Sequence, residues 1–472
     1  MTTATRSSDF KLRTSHFKLP LFSLTLLLSL ATCSVGRAQL RGACAKIDIT
    51  PPLGITLIGS KGQPSDSIKD PLHAKAMVLS DWTTTIAIVS ADLLYTPLED
   101  ITSPVRTIVS EKTGIPAQNI MVCAIHTHSG PEVFTRSKVP SAGRLPASQI
   151  DQSYLQVLVG KMADSVLIAH RNLQDVRIGT AIGSLPEVLY NRRPRMENGR
   201  VKMAFTVPEA VAATRQVRTG SDGRVRAVFT FPPGEAPLEF GPIDPAVLAL
   251  RMEDTNGRVV GSLIGFGCHP VCIYPYLSTT ISADYPAFAT RVVEQAEGGT
   301  SLFLLGLAGN AVPLRRDVGP CERMGKALGA EALKTLQMVA PSADITLKAA
   351  KRDISLPLKT AAVPEKPDQD AAPNHITTEI QILRLGNMYI VGLPGEVLVE
   401  VGLAIKDRAT TKNLFVATLA NDAIGYVSHR QAYQEGGYEP TSATHLAEGA
   451  GEILIEQVLA LLEETTKPTA RK

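Results

Sequence analysis

Six short apolar runs, IAIVSAD, MVCAIHTH, SLIGFGCHP, LFLLGLAGN, YIVGLPGE and LFVATLANDAIGY, each stop abruptly in polar or glycine-rich residues at their carboxyl ends. Runs this short and this continuously apolar fit strands covered on both faces. Between them lie segments with apolar residues at helical intervals, among them QSYLQVLVGKMADSVLIAHRNL, ERMGKALGAEALKTLQMV and EGAGEILIEQVLALLEET. Strands and helices intermix along the whole chain, which predicts the α/β class: a single large mixed α/β domain over residues 39–472, with its site at the C-terminal ends of strands. No repeat of fixed period and no low-complexity tract is visible.

Local punctuation supports this reading. The spacing of Ile101, Val105, Ile108 and Val109 predicts a helix that Gly114 stops. Asn256-Gly257 predicts a hairpin turn between two apolar strands. Residues 176–246 read as strands and long loops, and residues 361–374 as a loop.

The amino terminus differs from the rest. Arg6, Lys11, Arg13 and Lys18 precede the apolar run LPLFSLTLLLSLATCSV, which gives way to small residues and GRAQ. This layout predicts a secretory signal over residues 1–38, with a secreted or periplasmic product; the apolar stretch is short for a membrane span. A lipoprotein reading at Cys33 is weaker, because Thr32 is bulky for the residue before such a cysteine. The leader carries five basic residues and one acid, so the chain's formal charge of +3 becomes about −1 without it. That balance excludes the electrostatic footprint of a nucleic-acid binder. The remaining cysteines, Cys44, Cys123, Cys268, Cys272 and Cys321, are too few and odd in number for a disulfide scaffold.

If the strand ends converge, His126, His128, His269, Glu396 and Tyr426 share a site with Asp92 and Asn421. His126 and His128 stand two apart at the end of an extended run and point to one side. Two imidazoles and a carboxylate make a standard catalytic zinc set with a position left for water or substrate.

The ordered segments KIDITPPLG, DPLHAKAMVL, HTHSGPE, NRRP, FGCHPV, SADYPAFA, LPGE and NDAIGYV resemble the neutral, non-lysosomal ceramidase family and its bacterial relatives from about Cys44 to about Val427. The resemblance implies a hydrolase of N-acyl amides such as ceramide. It implies a zinc ion held by His126, His269, Glu396 and Tyr426, with His128 at the substrate and Arg192 assisting at the carbonyl. A small-molecule or lipid amide is then the expected partner, with possible peripheral membrane contact; the oligomeric state is left open.

Two departures qualify what the resemblance implies. The family's serine nucleophile lies in a motif like NxGDVSPN, and here the aligned LAGNAVPL puts Val312 at the serine and Asn310 at the aspartate. The C-terminal immunoglobulin-like domain of full-length ceramidases is also expected to be missing, because the chain stops soon after its last predicted helix. Valine cannot attack a carbonyl, so the expectation becomes attack by zinc-activated water, with His128 moving the proton and Arg192 stabilising the oxyanion. A zinc hydrolase of another amide or ester, or a binding protein without catalysis, are the alternatives. Elsewhere, Cys268 and Cys272 read as buried thiols, His73 as a core or supporting histidine, and His170 as a capping one. Asp70, Asp92 and Asp284 either orient ligand histidines or cap turns, and His429 and His445 lie near the rim without a task.

Overall fold

The same order of elements occurs three times along the chain in the computed structural model, which describes residues 40–60, 62–133, 151–359 and 374–466. The leader, Cys33 and nearly all of the loop expected over 361–374 lie outside the described residues. The first copy runs through strands β1 (Arg41–Asp48), β2 (His73–Ser80) and β3 (Thr85–Ala91), helix α1 (Ser103–Thr113), strand β4 (Ile120–Ala124) and helix α2 (Gln152–Arg171). The second runs through β5 (Gln174–Ser184), β6 (Ala246–Asp254), β7 (Val259–Phe266), α3 (Asp284–Glu297), β8 (Thr300–Leu305) and α4 (Val318–Leu336). The third runs through β9 (Leu347–Pro357), β10 (His375–Leu385), β11 (Met388–Gly392), α5 (Val399–Arg408), β12 (Leu414–Ala417) and α6 (Ala450–Thr466).

In every copy the first three strands form an antiparallel meander, and the fourth, reached through a helix, lies parallel to the third. The helical crossover is what a parallel neighbour requires. Copies one and two join edge to edge through β1 and β5, giving an eight-stranded sheet in the order β8-β7-β6-β5-β1-β2-β3-β4. Copy three forms a separate four-stranded sheet, β9-β10-β11-β12.

Alternation along the strands stacks these sheets. Met77 and Leu79 of β2, Ile86 and Ile88 of β3, and Leu248, Leu250 and Met252 of β6 pack with Leu383 and Leu385 of β10, Ile390 and Phe415 in one apolar layer between the sheets. The intervening residues, Ala76, Val78, Ala87, Val89, Val247, Ala249, Ile380 and Ile382, belong to the layer that includes the helices. Both faces of the central strands are thus covered, which explains runs of apolar residues where a one-sided strand would alternate with polar ones. The mixed α/β class agrees with the expectation from sequence. Gly114 ends α1 in the left-handed conformation, and Gly257 turns the β6–β7 hairpin with a positive φ.

Among the described residues no helix is long and apolar enough to cross a membrane.

Candidate active site

The third and fourth strands of each copy, which pair in parallel, send their carboxyl ends to one place. The segment after β3 supplies Tyr95 and the carbonyl of Leu94, and that after β4 supplies His126 and His128. His269 follows β7, and the carbonyls of Ala308 and Gly309 follow β8. Glu396 and Tyr426 come after β11 and β12, where the two-residue strands Glu396–Val397 and Tyr426–Val427 pair in parallel and set the two side chains abreast. Backbone hydrogen bonds knit the ends together: Ala124 N donates to Leu419 O, Asn421 N to Val122 O and Thr418 N to Leu305 O. Gly309 permits this closeness, because a Cβ there would stand 2.5 Å from the Val397 carbonyl oxygen.

At the centre, His126 Nε2 lies 3.1 Å from His269 Nε2 and 3.2 Å from Glu396 Oε2, and His269 Nε2 lies 3.2 Å from the same oxygen. Tyr426 Oη is 3.4 Å from His269 Nε2. The outer nitrogens are already committed: His126 Nδ1 donates to Leu94 O at 3.0 Å and His269 Nδ1 to Ala308 O at 2.5 Å. Each ring therefore carries its proton on Nδ1 and turns a bare lone pair inward. Two lone pairs and a carboxylate oxygen at mutual contact repel one another unless a cation lies between them. Donors held about 2.0–2.1 Å from a tetrahedral zinc stand about 3.3 Å apart, so the set fits such an ion.

The electrostatics agree. Burial, helped by the nearby Arg192 charge, depresses His269 to about 4 despite Glu396, so its imidazole is neutral at neutral pH. Burial also holds His128 well below its ordinary value, reinforced by His126 and His269. His126 reaches this arrangement with φ of 72°, a left-handed backbone uncommon outside glycine and one that costs about 1–3 kcal/mol.

His128 occupies a different position from His126. Its ring is 4.9 Å from that of His126 and stacks on Tyr274 at 5.6 Å, and its Nε2 is buried without a hydrogen-bond partner. The three imidazoles offer atoms within 4.8 Å of one another, yet Glu396, not His128, stands in contact with both inner nitrogens. Arg192 donates from Nε to Glu439 Oε1 at 2.7 Å, and from Nη2 to Gly309 O at 2.9 Å and to Tyr426 Oη at 3.1 Å. Burial disfavours its charge, but Tyr426 and Glu439 outweigh that and secure it.

The six residues singled out from sequence, His126, His128, His269, Glu396, Tyr426 and Arg192, are therefore neighbours. Asp70, Asp92 and Asp284 instead serve the backbone: Asp70 accepts from Ala283 N, Asp92 from His73 N, and Asp284 from Ile273 N and Tyr285 N. Asn421 splices strands, its Oδ1 accepting from Val122 N. His429 immediately precedes the short helix Arg430–Glu435. Val312 is buried, paired with Tyr190 and packed with Phe229 and Phe240, and Asn310 holds the start of α5 by accepting from Val399 N and donating to Glu400. Tyr95, which donates to Glu396 Oε1 at 3.1 Å, Tyr274 and Glu439 were not anticipated. Tyr95 does follow one of the six strand ends, a usable signal; Glu439 carries none in its own neighbourhood.

No protein-family model matches the chain. Solved structures do. The neutral ceramidase of Pseudomonas aeruginosa superposes with a TM-score of 0.69 at 18% identity, over 92% of this chain and 76% of that one. A ceramidase complexed with C2 gives 0.67 at 17%, over 92% and 77%. The fold is that of the neutral ceramidases. This ceramidase-like fold was the expectation raised by the ordered segments from KIDITPPLG to NDAIGYV.

Proposed function

We propose that the protein is an exported, zinc-dependent hydrolase that cleaves an N-acyl amide bond of the kind found in ceramide. The observation that carries this reading is the inward convergence of two imidazole lone pairs and one carboxylate oxygen at 3.1–3.2 Å, with the outer nitrogens fixed by carbonyls. His126, His269, Glu396 and Tyr426 would hold the ion. Bound zinc supplies a Lewis acid and brings the pKa of water down toward about 7.

The chain's own residues supply the remainder. His128, neutral and with a free, buried Nε2, accepts the proton of the attacking water and returns it to the leaving amine. Arg192 acts on the carbonyl side through Tyr426, to which its Nη2 donates, so that a fixed cation and a phenol stand where negative charge develops. Glu439 keeps that cation in place from behind and shares its other oxygen with Arg193. Burial of Val312 in the Tyr190–Phe229–Phe240 cluster favours direct attack by water over a covalent acyl-enzyme. The same feature favours a second reading within the mechanism, in which another amide or an ester is the substrate.

The test is metal analysis of the purified protein, together with hydrolysis of a fluorogenic ceramide and a panel of acyl amides and esters, each with and without chelator. One zinc per chain and chelator-sensitive cleavage are expected. Protein purified without zinc that neither takes it up nor cleaves any member of the panel would sink the proposal.

A further inference from the structure

Beside the site lies a cavity of about 390 Å³ with an excess of positive charge. Glu209, Tyr276, Arg315, Arg316, Pro320 and Arg323 are among the residues that line it. Two segments of chain link it to the site residues. The strand Ala311–Pro313, whose Ala311 carbonyl accepts from His269 N, runs directly into Leu314, Arg315 and Arg316. Tyr276 follows two residues after Tyr274, whose ring stacks on His128. Arg316 also acts electrostatically on Cys268, next to His269, and on Tyr190, which feels Arg192 as well.

The three guanidinium groups are only partly balanced from within, by Glu209, which also lines the cavity and feels Arg323 as well as Arg315. Arg315 pairs with the exposed Glu209. Asp317 spends its carboxylate on Val318 N at the start of α4. Arg316 and Arg323 have no ion pair or hydrogen bond among the described residues, and Arg316 Nε is shut off from water without an acceptor. Arg323 is exposed and Arg316 partly buried; such guanidinium forks match the paired oxygens of carboxylate, phosphate or sulfate, and the unanswered buried Nε of Arg316 costs the loss of its hydration.

The geometry points to an anion subsite: we infer that Arg316 and Arg323, with Arg315, bind an oxyacid group carried by the substrate, so that the amide cleaved is a negatively charged N-acyl amide. This inference rests on the proposed hydrolase reading, but its first test does not. Binding of inorganic phosphate is measured by calorimetry on the intact protein, on R316Q/R323Q, on Glu209→Gln and on His126→Ala. Wild type binds. The double variant loses affinity by about 10-fold or more, and Glu209→Gln gains affinity because it frees Arg315, a change that misfolding does not produce. His126→Ala binds as wild type does, even if no amide is ever cleaved. Absence of phosphate binding to the wild type, or equal binding by the double variant, overturns the subsite.

The second arm compares KM for an N-acyl amino acid with KM for its neutral methyl ester. R316Q/R323Q should raise the first about 10-fold and leave the second and both kcat values unchanged. If phosphate binds but the two KM values move together, the ligand is a free oxyanion, and the assignment to substrate is overturned.

Discussion

Two clusters of metal-ligating side chains lie buried among the described residues, and one of these two is arranged for an ion. His126, His269 and Glu396 turn bare acceptors on one another, because carbonyls have taken the outer protons. Cys272, Asp284 and Cys321 also offer donor atoms within 4.8 Å of one another, yet there the two thiols stay protonated. Burial pushes the Cys272 thiol up to about 12 and the Asp284 carboxyl up to about 6, and Cys321 Sγ lies 3.7 Å from Asp284 Oδ1. Asp284 is driven up by burial, with Asp70 adding to it, against the hydrogen bonds from Ile273 N, Tyr285 N and Cys321 that lower it. Residue type and proximity are shared; the placement of protons by outer partners separates a candidate metal centre from a packed core.

The largest effect expected of this difference is on metal. His126→Ala or Glu396→Ala should abolish zinc binding and lower hydrolysis at least about 10³-fold, about 4 kcal/mol of barrier, whereas Cys321→Ala should keep one zinc per chain. Metal analysis of the three variants checks this; a Cys321→Ala protein without zinc would erase the distinction. Next in size is a pH effect at Asp284. The unfolded chain ionises this carboxyl near its ordinary 3.8 and the native protein near 6, so the native state holds the extra proton in between. The stabilisation is complete below about pH 3.8 and is lost as pH rises through 6, by about 3 kcal/mol. Urea midpoints of wild type relative to Asp284→Asn should therefore fall between pH 4 and 7, and a constant difference would show that the carboxyl is ionised throughout. The smallest effect concerns an outer partner. Tyr95→Phe removes one hydrogen bond to Glu396 and should weaken zinc about 10-fold in chelator competition, with the fold intact; unchanged affinity would mean that the Tyr95 hydroxyl does nothing to orient Glu396.

Much of this was legible in the chain. The strand ends carrying His126, His269, Glu396 and Tyr426 stood out because apolar runs stop there, and the reading that these ends meet is what the fold displays. The recurrence of one motif three times was not legible. The connections between its first and second strands differ widely in length, long between β5 and β6 and short between β9 and β10, so no fixed period survives. Strand β9 was missed because Lys348, Lys351, Arg352 and Asp353 break its apolar pattern, as an edge strand allows. Glu439 was invisible because its task, neutralising Arg192 and Arg193, depends on residues far away in sequence. The aspartates were ambiguous in sequence because carboxylates serve histidines and backbone turns equally well; here carbonyls had already taken the histidine protons.

The threefold motif also bears on the order of events during synthesis. Copy one contributes His126, copy two His269, and copy three both Glu396 and Tyr426. A growing chain has one imidazole of the set, then two, and lacks the carboxylate until its final portion has been made and β11 and β12 have docked. Capture of an ion would then certify that all three copies are assembled, and a chain cut short anywhere before Tyr426 would lack part of the set.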